Sequence, residues 1–199
     1  MASSPDSFLP RTIRTVFLDR DGVLNRKPPE GRYVTSWSEY QPLPGVPQAI
    51  ARFNRAGLRV VVVSNQRGIA LGLYTSTDVD HIHEEFQTTL KAHNAHVDAF
   101  YYCPHDKLQC DCRKPLSGLF DQAVAEFPGI TAESSAIIGD SWSDIEFGRR
   151  LGMTTVFIEG DRALRKPGAD EARAAADLHF PSLPEAADAL LALLAHPVT

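Results

Sequence analysis

The chain has no apolar run near the roughly 20 residues that a bilayer crossing needs. Its first residues, Met1-Ala2-Ser3-Ser4-Pro5, lack both the basic start and the apolar stretch of a secretory signal. Cysteine is scarce: three among 199 residues, Cys103, Cys110 and Cys112, an odd number confined to one short segment. That is a poor disulfide framework, and its clustering is that of metal ligands in a reducing compartment. Positive charge is also short, with 20 Lys and Arg against 25 Asp and Glu, a formal net charge of -5. A general nucleic-acid binder needs a basic face and is therefore not expected. These absences together predict a cytoplasmic protein with neither a membrane nor a nucleic-acid partner.

What is present is an ordinary globular composition, 43% hydrophobic and 23% charged. A chain of this size can bury roughly 70% of its unfolded surface, so it can fold without disulfides. Residues 1–11, rich in Ser and Pro, read as a flexible leader, and residues 12–199 as one domain. Short apolar runs at Thr15–Leu18, Leu58–Val63, Ala99–Tyr102, Ala136–Ile138 and Thr155–Ile158 predict buried parallel strands. Helical periodicity predicts helices over Val46–Arg55, Thr77–His93, Gly118–Glu126 and Ser143–Leu151, with a closing amphipathic helix from Ser182 to His196. This alternation predicts an α/β fold: a single doubly wound, Rossmann-like parallel sheet with helices on both faces. No insertion is large enough for a cap domain. The Asn25–Pro44 connection is long for a structureless loop, and is either a functional cover or a plain surface flap.

Ligands of such sheets collect at the carboxyl ends of the strands, and there every predicted strand is followed by polar residues. Asp19 and Asp21 follow the first, Ser64-Asn65-Gln66-Arg67 the second, and Gly139-Asp140-Ser141 the fourth. Three converging carboxylates, Asp19, Asp21 and Asp140, repel one another unless a cation sits among them, and oxygen-only ligation suits Mg²⁺. Asp19 could then act as a carboxylate nucleophile towards a phosphoryl group, and Asp21 as general acid and base. Ser64 and Lys114 would supply a hydroxyl and an ammonium for the charge that phosphoryl transfer spreads over oxygen. Gly139 is expected to let backbone approach the metal side.

These residues resemble, in order, the four motifs of the haloacid dehalogenase (HAD) superfamily. The motifs are Asp19-Arg20-Asp21-Gly22-Val23-Leu24-Asn25, Ser64-Asn65-Gln66, Arg113-Lys114-Pro115 and Gly139-Asp140-Ser141-Trp142-Ser143-Asp144. Within the superfamily the likeness is to the D,D-heptose 1,7-bisphosphate phosphatase group, with histidinol-phosphate phosphatases as siblings. The resemblance implies Asp19 as nucleophile, Asp21 as general acid/base, and Ser64 and Lys114 on the transferring phosphoryl group. It implies Mg²⁺ held by Asp19, the backbone carbonyl of Asp21 and Asp140, with Asp144 supporting the ion from behind. It also places Asn65, Gln66, Arg67 and Arg113 against the sugar or its second phosphate.

A second signature of that group is C-x-H-x4-C-x-C, formed here by Cys103, His105, Cys110 and Cys112. Four protein ligands can close a tetrahedral Cys₃His zinc site, and a closed site is structural rather than catalytic. Its expected role is to order the loop that carries Arg113 and Lys114. Two departures touch substrate choice: the His105–Cys110 stretch is short, and Ser141 stands where some relatives carry Lys. The expected reaction is Mg²⁺-dependent hydrolysis of a phosphomonoester through an aspartyl-phosphate, with a small phosphorylated sugar as partner and the chain acting as a monomer. Removal of the 7-phosphate of a heptose 1,7-bisphosphate is the leading expectation, and histidinol phosphate the alternative. A phosphorylatable receiver module uses similar residues in another order: its phosphorylated Asp lies at the third strand, after an acidic pair, and Ser/Thr then Lys follow, whereas here the D-x-D opens the chain and an acidic pair, Asp140 and Asp144, closes it.

Overall fold

The computed structural model describes residues 13–165 and 167–195. The leader at 1–11 and the His196 end of the closing helix lie outside the described residues. Six strands, all parallel, form one sheet: β1 (Thr15–Leu18), β2 (Arg59–Asn65), β3 (Ala99–Cys103), β4 (Ser135–Gly139), β5 (Thr154–Ile158) and β6 (Leu178–Phe180). Their order across the sheet is β3-β2-β1-β4-β5-β6. Parallel strands need crossovers, and five helices supply them: α1 (Val46–Arg55), α2 (Ser76–Lys91), α3 (Gly118–Glu126), α4 (Trp142–Leu151) and α5 (Ala169–Ala175), with α6 (Leu183–Ala195) following β6. No helix among the described residues is long and apolar enough to cross a membrane.

Alternation along the strands builds two cores. Val16, Leu18, Val60, Val62 and Ile138 face α1, α2 and α6 through Phe53, Ile82, Phe86 and Leu190. Phe17, Val61, Val63 and Ile137 face the other way, against Leu119 and Ala123 of α3 and Phe147 of α4. The sheet is thus covered on both sides, which explains why its central strands read as continuous apolar runs. α1 and α3 have the predicted bounds. The chain leaves α1 through Gly57, whose φ of 76° is a left-handed turn that glycine adopts without strain. β6 and α5 are additions to the predicted set. β6 is a three-residue edge strand, and α5 buries only the small residues Ala169 and Ala172, so neither carries a legible apolar period.

The long Asn25–Pro44 connection is pinned at its base. Asn25 bridges to Asp21 and to Pro42, Arg26 N–H donates to the Gln41 carbonyl at 2.8 Å, and Leu43 N–H to Leu24 at 2.9 Å. A short 3-10 turn over Trp37–Glu39 lies at its far end, where Trp37 stacks on the buried Tyr40 at 5.1 Å. Trp142 is 40% exposed.

α4 can approach the sheet only because residue 148 is glycine. A Cβ there would stand 2.3 Å from Ile137 Cγ2 and 2.7 Å from Thr155 Cγ2. Gly148→Ala should therefore cost about 1–3 kcal/mol by overpacking, read as a lower urea midpoint; an unchanged midpoint would show that α4 is not seated this tightly.

Candidate active site

Register fixes the geometry of the rim. Leu18 lies opposite both Val62 and Ile138, so Asp19, Ser64 and Asp140 emerge at the same edge of three adjacent strands. Asp19 N–H donates to the Ile138 carbonyl at 2.9 Å, extending the ladder by one residue. Carboxylate oxygens of Asp19, Asp140 and Asp144 lie within 4.8 Å of one another.

Lys114 binds this cluster together from below. Its buried Nζ donates to Asp19 Oδ1 at 2.9 Å and to the Val63 carbonyl at 2.6 Å, and pairs with Asp144 Oδ1 at 2.6 Å. Burial works to lower its pKa, but Asp144 and Asp19 outweigh that and raise it, so the ammonium stays charged. Asp144 meets Lys114 through one oxygen while Oδ2 accepts from Ser141 Oγ at 2.5 Å and Ser141 N–H at 3.2 Å. The residue that caps α4 therefore also orients the lysine's partner. Gly139 makes room for this arrangement: a Cβ there would meet Asp144 Cβ at 2.2 Å. The expected close approach is thus to Asp144, while Gly22 gives way to Asp140, whose Oδ2 would lie 2.0 Å from a Cβ.

Asp21 sits in a separate, well-bonded pocket. Arg20 reaches Oδ2 at 3.0 Å and Oδ1 at 3.2 Å, Asn25 Nδ2 donates to Oδ1 at 2.9 Å, and Gln66 Nε2 approaches Oδ2 at 3.3 Å. Burial pushes Asp21 up, but Arg20 and the hydrogen bonds hold it below its ordinary value, in the carboxylate form. Asp19 is displaced upwards, by burial and by Asp144, against the pull of Lys114. Asp140 is pushed up to about 7 by burial, with Lys27 opposing and Asp19 and Asp144 adding to the rise.

Three carboxylates (Asp19, Asp140, Asp144) thus face two ammonium groups, Lys114 and Lys27. Asp140 Oδ1 is buried without a hydrogen-bond partner. An excess of buried negative charge together with an orphaned carboxylate oxygen is what a divalent cation with oxygen ligands would satisfy.

The residues expected at the sugar are placed as follows. Asn65 exchanges two hydrogen bonds with the backbone of Lys114, N–H to Oδ1 at 3.0 Å and Nδ2 to the carbonyl at 3.1 Å. Gln66 donates to Ser64 Oγ at 2.6 Å and accepts from Tyr74 at 2.7 Å. Arg67 pairs with Asp106 at 2.5 Å. Arg113 has a buried guanidinium nitrogen, Nη1, with no partner. Arg20, Asn25 and Lys27 belong to the site without having been assigned roles from sequence. The first two lie inside the leading motif; Lys27 carries no signal, since a lysine entering a loop reads as solvated.

The second cluster lies where β3 ends. Cys103, His105, Cys110 and Cys112 bring their donor atoms within 4.8 Å of one another. Cys103 Sγ to Cys110 Sγ and Cys110 Sγ to Cys112 Sγ are both 3.4 Å, and His105 Nδ1 lies 3.3 Å from Cys112 Sγ. Burial and the neighbouring thiols push Cys112 up. The cluster is tied to the rim at both ends: Gln66 N–H donates to the Cys103 carbonyl at 2.8 Å, and Cys112 precedes Arg113 and Lys114 directly.

Comparison with known proteins gives a consistent picture. A family model described as HAD-hydrolase-like matches residues 111–186. A D-glycero-alpha-D-manno-heptose-1,7-bisphosphate 7-phosphatase of Mycobacterium tuberculosis is 36% identical over 88% of this chain and 90% of its own length. A D-glycero-beta-D-manno-heptose-1,7-bisphosphate 7-phosphatase of Pseudomonas putida is 35% identical over 77% of this chain and 89% of its own. Among solved structures, the D,D-heptose 1,7-bisphosphate phosphatase of B. bronchiseptica, complexed with magnesium and phosphate, superposes with a TM-score of 0.79 at 28% identity. It covers 90% of this chain and 99% of that one.

Asn65 serves as a clamp on the lysine loop. Asn65→Ala leaves a backbone donor and acceptor of Lys114 without their partner and should lower stability by about 1–3 kcal/mol, measured by urea unfolding. A change under about 0.5 kcal/mol, the size of an ordinary surface substitution, would show that the loop is held elsewhere.

Proposed function

Because this chain belongs to the heptose-1,7-bisphosphate 7-phosphatase family of HAD-like hydrolases, we propose that it removes the 7-phosphate of a heptose 1,7-bisphosphate. Asp19 is the nucleophile in this reading. One observation carries it: Lys114 joins Asp19 to Asp144 at the strand rim, with Asp140 completing the acidic cluster. The names of the relatives include both the alpha and the beta sugar, so they agree on the bond broken at C7 and differ in the configuration at C1.

Asp19, Asp140 and the backbone carbonyl of Asp21 hold Mg²⁺, which when bound supplies charge neutralisation to the phosphoryl oxygens. A free oxygen of Asp19 attacks phosphorus while the bond to the sugar oxygen breaks, and Asp21 gives that leaving oxygen its proton. In the second half water attacks the aspartyl-phosphate and passes a proton to Asp21; the bond between phosphorus and Asp19 breaks, releasing phosphate. The hydrogen bonds on Asp21 favour its charged form in the substrate-free site, so the proton it gives in the first half is taken up before attack, and the proton it takes from water in the second half restores it for the next turnover. Ser64 and Lys114 contact the transferring group, with Gln66 fixing the Ser64 hydroxyl.

Arg67 and Arg113 both face Asp106 electrostatically, which leaves one net positive charge on the zinc-loop side. Together with the partnerless Arg113 nitrogen, this supports a role for the pair in holding the second phosphate. Asn65 and Gln66 then act at the sugar's edge mainly by fixing their neighbours. Cys103, His105, Cys110 and Cys112 bind structural Zn²⁺ in this reading. A tetrahedron with Zn–S of about 2.3 Å has S···S edges of about 3.8 Å, close to the 3.4 Å separations observed. Cysteines free of disulfides fit a cytoplasmic site of action.

Three outcomes test these assignments. Asp19→Asn should lower multiple-turnover phosphate release by about 10³-fold or more, and the wild type should turn over heptose 1,7-bisphosphate far faster than histidinol phosphate. The reverse preference would overturn the substrate. Cys110→Ser should lose zinc, read by metal analysis, and with it most of the activity; full activity without zinc would show that the cluster does not set the Lys114 loop.

A further inference from the structure

Lys27 is buried, 7% exposed, although it stands at the start of a long surface connection. Its Nζ donates to Asp140 Oδ2 at 2.5 Å. The two oxygens of Asp140 are therefore in different states: Oδ2 is taken by the ammonium, and Oδ1 is buried with no hydrogen-bond partner. A carboxylate free at both oxygens would rotate about its terminal bond, whereas one fixed at Oδ2 presents Oδ1 in one direction.

The lysine is pre-positioned from its own chain. Asn25 Nδ2 donates both to Asp21 Oδ1 and to the Arg26 carbonyl, each at 2.9 Å, and Arg26 N–H is bonded to Gln41. Backbone on both sides of the loop base is thus fixed immediately before Lys27, which lowers the entropic cost of holding a long side chain in one rotamer. Lys27 also lines two cavities. One, of about 620 Å³, is formed by the loop with Tyr33 and Gln41; the other, of about 50 Å³, adjoins Gly22, Asp140 and Gly160. It stands between the larger, open space and the acidic cluster.

We infer that Lys27 is a positioning residue for the divalent ion: it holds Asp140 Oδ2 so that Oδ1 faces the metal, and it ties the 26–41 loop to the metal site. This rests on the reading of Asp19, Asp21 and Asp140 as the Mg²⁺ ligands. Partners that orient a metal ligand are commonly worth 10–100-fold in metal affinity. The opposing view has a definite sign. If the ammonium merely filled the cation's place, its removal would leave more negative charge and strengthen metal binding.

The test is calorimetric titration of Mg²⁺ into the full chain, without substrate. Wild type should bind and Asp140→Asn should not; binding that is indifferent to Asp140→Asn would overturn the ligand assignment itself, whatever Lys27 does. Given that result, Lys27→Met should weaken Mg²⁺ binding by about 10–100-fold, with Lys27→Arg recovering part of the loss. Equal or tighter binding by Lys27→Met would overturn the inference. Metal-free thermal unfolding shows which variants are folded, and Lys27→Leu, which also removes the donor, gives the same comparison should the methionine variant not fold.

Discussion

Buried negative charge governs this structure. Three carboxylates gathered at one edge of the sheet are compatible with folding only because Lys114 and Lys27 stand among them, and even so the cluster keeps a net negative charge. Lys114 is the central member: it touches the nucleophile candidate, the α4 carboxylate and a carbonyl of β2. Removing one partner from such a set leaves an uncompensated buried charge, which costs far more than an exposed pair contributes. The arrangement also leaves an unmet demand for positive charge, which a divalent ion would satisfy.

Much of the remaining structure exists to deliver Lys114. It does not lie on a strand or helix but in the short link between the Cys/His cluster and α3. Three devices hold it there: the cluster on one side, the two hydrogen bonds from Asn65, and the entry to α3, where Gly118 N–H bonds to the Asp111 carbonyl at 3.1 Å. Rigid elements surround a residue that itself has no regular backbone, which is how a loop attains the placement that phosphoryl chemistry requires. Asp144 is handled in the same way, as one residue serving both the cap of α4 and the lysine.

The residues of the rim were legible because their place in the chain sets their place in the sheet. Asp19, Asp21, Ser64 and Asp140 follow apolar strand runs directly, and parallel register converts that sequence position into shared location. The Cys/His spacing was legible for a similar reason, since four ligands within ten residues must meet if they meet at all. Asn65 and Gln66 show where such reading stops. The family resemblance implies sugar contacts for both, whereas their side chains are largely engaged by Lys114, Asp21, Ser64 and Tyr74. β6 and α5 were missed because three half-exposed residues and a run of alanines leave no apolar period to detect.

Local order in the chain determined the strand and helix sequence, the polar identity of the rim and the candidate metal ligands, because each depends on neighbours a few residues away. Pairing across distance was decided only in three dimensions: Lys27 with Asp140, Lys114 with Asp144, Arg67 with Asp106. A charged side chain shows no sequence mark of its partner. Whether it is solvated or buried depends on what the fold brings opposite it, and that is a property of the assembled fold rather than of any segment.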